Sequence, residues 1–250
     1  MDKKLFLEKT IKDLKVELES PDQRIIALYQ IVDKLPKNIN ELFEQLRVVT
    51  DTIYPTLEKE INVKDYCKIL LLEKVTIEEL KKIGITNTKV IEIIDSGVSI
   101  TLEEKERKLI KNFAENILEL IKIKEELENL AHTIAEKNYP TFCSVTGTKI
   151  ACQMLVIAGS ISRLSRMPSS TIQLLGAEKS LFKSIKMGNK KTPKYGLLFN
   201  HSLIINKTKK NKGRIARFLA GKIVIAIKAD ISGKDLRKEL SEKISKKIKE

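Results

Sequence analysis

At 250 residues and 42% hydrophobic, the chain can bury a substantial core and hold one or two domains plus an extended element. Aromatic residues are only 5% and Trp is absent, which leaves few stacking platforms of the kind single-strand binders use, while six prolines and ten glycines against abundant Leu, Ile, Lys and Glu point to a mostly helical protein. The net charge of +14 is concentrated: residues 141–228 hold seventeen Lys or Arg against one acid, Glu178, whereas residues 1–140 carry −4 and residues 229–250 carry +2, the footprint of a polyanion-binding domain.

Residues 1–20 alternate charge with Leu, Phe, Ile and Val and form an N-terminal extension with the pattern of a short amphipathic helix. Ser20-Pro21-Asp22-Gln23 then reads as a helix start, with Ser20 as cap, Pro21 in the first turn and Gln23 completing a capping box. Apolar residues follow at helical spacing, Ile25, Leu28, Ile31 or Val32 and Leu35, then Ile39, Leu42, Phe43, Leu46, Val49 and Ile53. Pro36 is expected to kink this helix or divide it, and Tyr54-Pro55 to end it.

Residues 56–100 read as a small helical insert. Thr76-Ile77-Glu78-Glu79 is a second capping box, Gly84 sits where a helix C-terminal glycine belongs, and a turn at Ser96-Gly97 leads to a third box, Thr101-Leu102-Glu103-Glu104. From Glu103 to about Asn138, Leu109, Phe113, Ile117, Leu120, Ile123, Leu127, Leu130 and Ile134 recur every three or four residues. Two apolar-striped helices of equal length around a compact insert predict an antiparallel hairpin over 21–138 with the insert at its tip. Ile110, Leu118 and Ile121, off the main seam, leave room for a second molecule.

Tyr139-Pro140 ends the long helix and opens the charged domain, 139–232, followed by a charged C-terminal helix or tail over 233–250. The apolar run from Ile150 to Ile157, flanked by Gly147 and Gly159, predicts the buried central helix of that domain. Met167-Pro168 reads as a further helix start and Gly176 as its end. Gly176-Ala177-Glu178-Lys179 sits between two short helical patterns, so its backbone N–H groups are placed to open toward a phosphate, with Lys179 adding charge. Glu178 reads as a helix-start or salt-bridge residue. The densest cationic cluster is Lys207, Lys209, Lys210, Lys212, Arg214, Arg217 and Lys222. Arg214 lies three residues from Arg217 and four from Phe218, so on a helix some of these side chains also pack.

Enzyme signatures are missing. There is no nucleophile with its base, no G-x-x-x-x-G-K-[ST] and no G-x-G-x-x-G, so neither an enzyme nor a cofactor is expected. Cys67, Cys143 and Cys152 are odd in number and lack C-x-x-C spacing, and His132 and His201 lie far apart, which argues for buried, reduced thiols rather than zinc or disulfides. No signal-peptide core and no apolar run of about 18 residues occurs, so the expectation is a soluble, cytosolic chain without a membrane segment.

Three segments in register, MPSSTIQLLGAEKSLF (167–182), TPKYGLLFNHS (192–202) and KNKGRIARFLAGK (210–222), resemble the signature of the Nop domain. That domain belongs to the scaffold protein of archaeal and eukaryotic box C/D guide ribonucleoproteins and to a related spliceosomal pre-mRNA-processing factor. Weaker similarity reaches back to about Pro21. The resemblance implies an all-α fold, a coiled-coil hairpin with a small helical tip plus a compact helical ribonucleoprotein-binding domain.

It also implies a non-enzymatic scaffold of the archaeal cytosol. The scaffold binds kink-turn RNA of the box C/D guide type together with a small, ribosomal-type kink-turn-binding protein, and forms a homodimer through the hairpin, here assigned to Phe113, Ile117, Leu120 and Leu127. Gly176, Ala177, Glu178 and Lys179 match the family's ribonucleoprotein contact element residue for residue. Lys183 falls in a segment similar to one near the guide–target duplex, and Lys194 belongs to the second motif. His201 matches a His-Ser pair whose ring stacks on an RNA base.

In guide particles methyl transfer is done by fibrillarin, recruited through an α/β N-terminal domain. Only Met1 to Glu19 precede the hairpin, so fibrillarin remains among the partners the resemblance implies, but without the domain that recruits it in the family's full-length scaffold. The competing reading is a coiled-coil adaptor whose basic domain binds RNA nonspecifically.

Overall fold

The computed structural model describes residues 10–11, 20–51, 57, 61–72, 75–85, 87–95, 103–188, 192–205 and 209–249. Every long regular element among them is a helix: α1 Pro21–Thr50, α2 Val63–Leu71, α3 Ile77–Lys82, α4 Thr88–Asp95, α5 Glu104–Asn138, α6 Pro140–Thr146, α7 Thr148–Ala158, α8 Ile161–Arg166, α9 Ser169–Leu174, α10 Glu178–Lys186, a 3-10 turn Leu197–Asn200, α11 Ser202–Ile205, α12 Lys209–Ile231 and α13 Arg237–Lys249. The chain forms two compact units, Ile31–Leu127 and Met1–Gln30 with Glu128–Glu250. Each unit holds one end of α1 with the opposite end of α5.

In the unit Ile31–Leu127, Ile39, Phe43 and Leu46 of α1 share a core with Ala114 and Ile117 of α5 and with Tyr66, Cys67, Ile69, Leu80 and Val90 of the short helices. The ring of Phe43 meets Tyr66 edge-on at 5.1 Å, and the Tyr66 hydroxyl lies 2.6 Å from Thr50 Oγ1. Pro36 does not divide α1. Its ring lies on the exposed face, so the helix forgoes the one N–H that proline lacks and continues.

The Thr76 cap forms, its hydroxyl accepting the Glu79 N–H at 3.4 Å. Gly84, at φ +85°, closes α3: its N–H reaches Lys81 O and the Ile85 N–H reaches Leu80 O, a paired C-terminal motif that needs a left-handed residue. Helix α5 starts later than the third box predicts, and Glu106 accepts the Glu103 N–H at 3.1 Å. Tyr54-Pro55, Ser96-Gly97 and Thr101 lie outside the described residues, as does almost all of the extension 1–20.

The register of the α5 stripe needs correcting. Leu109, Ile123 and Leu130 are 70%, 40% and 48% exposed, while the fully buried positions include Ala114, Ala131 and Ala135. Small side chains let the helix backbone approach its neighbours, so Ala rather than Leu marks the inward face. Ile117, assigned to a dimer seam, is 1% exposed within the chain's own core and presents nothing to a second copy. Phe113, Leu120 and Leu127 are half-buried.

The other unit packs Ile25, Ile26 and Tyr29 with Ala131, Ala135 and the helices that follow. Helix α7 is buried along Ala151, Cys152, Met154, Leu155 and Ala158, but it shares the centre with α12, which contacts α6, α8, α9, α11 and α13. Side chains distant in sequence tie helix ends. Asp22 accepts the Ile161 N–H at 3.0 Å, and Gln23 donates to Gly159 O at 3.1 Å, so its amide nitrogen serves a tertiary bond rather than only a local box. Asp230 accepts from Thr141 and Phe142 at the start of α6. No single helix among the described residues is long and apolar enough to cross a membrane.

Candidate nucleic-acid interface

The three motif segments meet. Gln173 in α9 donates through Nε2 to Lys194 O at 2.6 Å, the Gly196 N–H reaches Gln173 O at 2.9 Å, and the Leu197 N–H reaches Leu175 O at 2.8 Å. The approach leaves room only for glycine, because a Cβ on Gly196 would lie 1.9 Å from Leu175 O. Gly176, at φ +86°, turns the chain beside Leu197. The second segment then contacts the third. Tyr195 stacks on Phe199 with ring centres 5.3 Å apart, Lys212 Nζ lies 5.0 Å from the centre of the Phe199 ring, and Gly213 of α12 sits against the Lys194 side chain.

On this assembly Lys179, Lys183, Lys194, Arg214 and Arg217 are exposed, and among the described residues none of them pairs with a carboxylate. The one ion pair found among the described residues of the basic segment joins Lys149 to Glu128 at 3.4 Å. Lys212 and Lys222 are half-buried and lie over Phe199 and Phe218, so their stems pack while their charges stay at the surface. Lys209 and Lys210 stand in the first turn of α12, with side chains outside the described residues, as is all of Lys207.

Of the backbone N–H groups of Gly176-Ala177-Glu178-Lys179, the first two are already used within the chain. The Gly176 N–H donates to Glu178 Oε1 at 2.8 Å and the Ala177 N–H to Leu174 O at 2.9 Å. Ala177 is the cap of α10 without a side-chain bond, and Glu178 supplies from within the chain the negative charge that a helix start attracts. The helix also sorts its surface into rows. Lys179, Lys183 and Lys186 form one exposed row, while Glu178 heads another with Phe182 and Ile185, the last two 69% and 61% exposed.

His201 is held at both ring nitrogens. Nδ1 accepts the Leu203 N–H at 3.2 Å, which leaves the proton on Nε2 to be donated to Val145 O at 3.2 Å. Burial holds its pKa below the ordinary 6.5, so the ring is a neutral imidazole. It lines a cleft of about 520 Å³ with Thr146, Thr148, Lys149, Gln153 and Asn200. Three residues that matter here were not singled out from the sequence: Gln173, Gly196 and Asp230. Gly196 alone left a signal, as a glycine inside a motif.

The three cysteines are buried and free; desolvation pushes the Cys67 and Cys152 thiols up to about 12 and raises Cys143 as well. Among the described residues no group of His, Cys, Asp or Glu is arranged to hold a metal ion.

The chain matches the Nop family model, described as "snoRNA binding domain, fibrillarin", over residues 31–250. It is 32% identical to an uncharacterized NOP5 family protein of Methanocaldococcus jannaschii over 97% of this chain and 60% of that protein. It is 29% identical to Nucleolar protein 56 of Mus musculus over 93% of this chain and 43% of that protein, and 31% identical to Nucleolar protein 58 of Vanderwaltozyma polyspora over 89% and 44%. The chain thus spans between two fifths and three fifths of these relatives. The fold is that of a chain in a crystallised fibrillarin/Nop5p complex, with a TM-score of 0.59 at 24% identity, covering 98% of this chain and 75% of that one. A family model that matches nearly the whole chain, on the motifs that build the basic surface, makes this protein a member of the Nop family.

Proposed function

We propose that the chain is a non-enzymatic ribonucleoprotein scaffold that binds kink-turn RNA of the box C/D type jointly with a kink-turn-binding protein, in a particle for RNA 2'-O-methylation or a related RNA-processing step. The observation that carries this reading is the assembly of three separated motifs into one surface whose exposed cations Lys179, Lys183, Lys194, Arg214 and Arg217 lack acid partners among the described residues. Charge without internal compensation attracts a phosphate backbone, and the fixed loop 192–200 beside it provides shape for a composite partner. In this reading residues 21–138 form the hairpin arm, and residues 139–232 form the RNA-facing domain.

The test is a gel shift on a box C/D RNA, with and without the kink-turn-binding protein, beside an RNA whose kink-turn pairs are scrambled. A shift requiring both the motif and the partner protein is expected. Equal shifts on both RNAs, indifferent to the partner, would make the basic face a general RNA clamp and sink the composite reading. Fibrillarin, the other component of the crystallised complex, is the enzyme such a scaffold would serve, and co-purification tests that link. In this reading self-association uses the α5 residues left outside the core of the unit Ile31–Leu127, Leu109 and Ile123, so Leu109→Lys with Ile123→Lys should lower the sedimenting mass of any dimer without lowering stability.

A further inference from the structure

The single acid of residues 141–228, Glu178, stands in the first turn of α10, one position before the exposed row Lys179, Lys183 and Lys186. Glu178 is tethered locally. Its Oε1 accepts the Gly176 N–H at 2.8 Å, and Gly176 is itself wedged against Leu197 of the second motif. That bond holds the carboxylate at the start of α10. Being half-buried, it is screened less than a surface acid.

We propose that Glu178 is a specificity residue that works by exclusion, barring the phosphate backbone of RNA from one row of α10 and so rejecting RNAs that do not follow the row beside it. The inference rests on the RNA-binding reading above. Lys179, Lys183 and Lys186 recur at intervals of four and three residues and make a cationic track. Glu178, Phe182 and Ile185 recur at the same intervals one row over, about 100° around the helix. A backbone laid along the lysines has the attraction of three cations and lies one row away from the carboxylate. Moved to the neighbouring row, it meets Glu178 at one end and two exposed apolar side chains along its length. A like charge at a fixed point costs affinity mainly in the wrong arrangements, which is how an interface gains discrimination without new contacts.

The local role of Glu178, accepting the Gly176 N–H, is separable from its charge. Gln in its place keeps an oxygen for that bond and removes the charge, so Glu178→Gln is the informative variant. Its affinity is measured for a box C/D RNA in the presence of a kink-turn-binding protein and for an equal-length RNA with the kink-turn pairs scrambled. Glu242→Gln, an exposed residue of α13, serves as the charge-matched control.

The expected result is binding of the scrambled RNA about three- to tenfold tighter, with less than about a twofold change on the kink-turn RNA, so that the ratio between them falls. An equal gain on both RNAs, an equal gain from Glu242→Gln, or a loss confined to the kink-turn RNA would each overturn the proposal. A wild-type chain with no preference between the RNAs would overturn the scaffold reading and this inference together. A wild-type preference that Glu178→Gln leaves intact would overturn this inference alone.

Discussion

Asp230, near the end of α12, accepts hydrogen bonds from the backbone N–H groups of Thr141 at 3.0 Å and Phe142 at 2.7 Å, and so caps α6 from almost ninety residues away. Pro140 at the start of α6 has no N–H of its own, and the next two donors are met by one carboxylate. Asp230→Ala leaves both unpaired beneath a packed helix and should cost about 1–3 kcal/mol. Denaturant unfolding checks it, and a loss below about 0.5 kcal/mol would mean that water replaces the cap.

Gly196 separates packing from charge. Alanine there would set its Cβ 1.9 Å from Leu175 O, a backbone atom that cannot rotate away. Gly196→Ala should lift the 192–200 segment from α9 at a cost of about 1–3 kcal/mol and weaken RNA binding although no cation is removed. Limited proteolysis within 192–200 together with RNA affinity reads both effects. Unchanged protease resistance would show that the contact relaxes without consequence.

His201 makes stability depend on pH. Its pKa is held down in the folded chain by burial, so on acidification the unfolded chain takes up the proton first, from about the ordinary 6.5. Its contribution is therefore intact above 6.5 and is lost as pH falls through the lower folded value. His201→Gln should flatten the stability profile in that window. Nitrogen NMR of the ring should report the Nε2–H form, and a proton on Nδ1 at neutral pH would contradict the two bonds its nitrogens make.

Arg214 and Arg217 project from one exposed face of α12. Replacing both by Ala should make RNA binding less dependent on salt, the log–log slope falling by about 0.9 for each phosphate these side chains neutralise. Stability should stay within about 0.5 kcal/mol, as for surface positions generally. An unchanged slope would remove these two side chains from the phosphate track.

Local features of the chain were legible from residue order. The Thr76 cap, the Gly84 stop and the Met167-Pro168 start all depend on side chains within a few positions, and each forms. That the Gly176 N–H within Gly176-Ala177-Glu178-Lys179 is already taken was not legible, for the same reason. Spacing locates a helix start, but it does not say that Glu178 turns its carboxylate back onto the Gly176 N–H. The leucine stripe of α5 misled differently, because apolar periodicity ranks large side chains above alanine, while close helix packing prefers the alanines at 114, 131 and 135.

Sequence by itself determined the helical class, the concentration of positive charge in residues 141–228 and the three motifs that carry the family likeness, since composition, periodicity and short spacings are properties of neighbouring residues. Tertiary structure alone decided that those motifs share one surface, that Asp230 and Asp22 cap helices far away in the chain, and that Ile117 is enclosed while Leu130 is not. Those outcomes depend on which faces meet when distant segments pack, and burial and hydrogen bonding between such segments have no period along the chain.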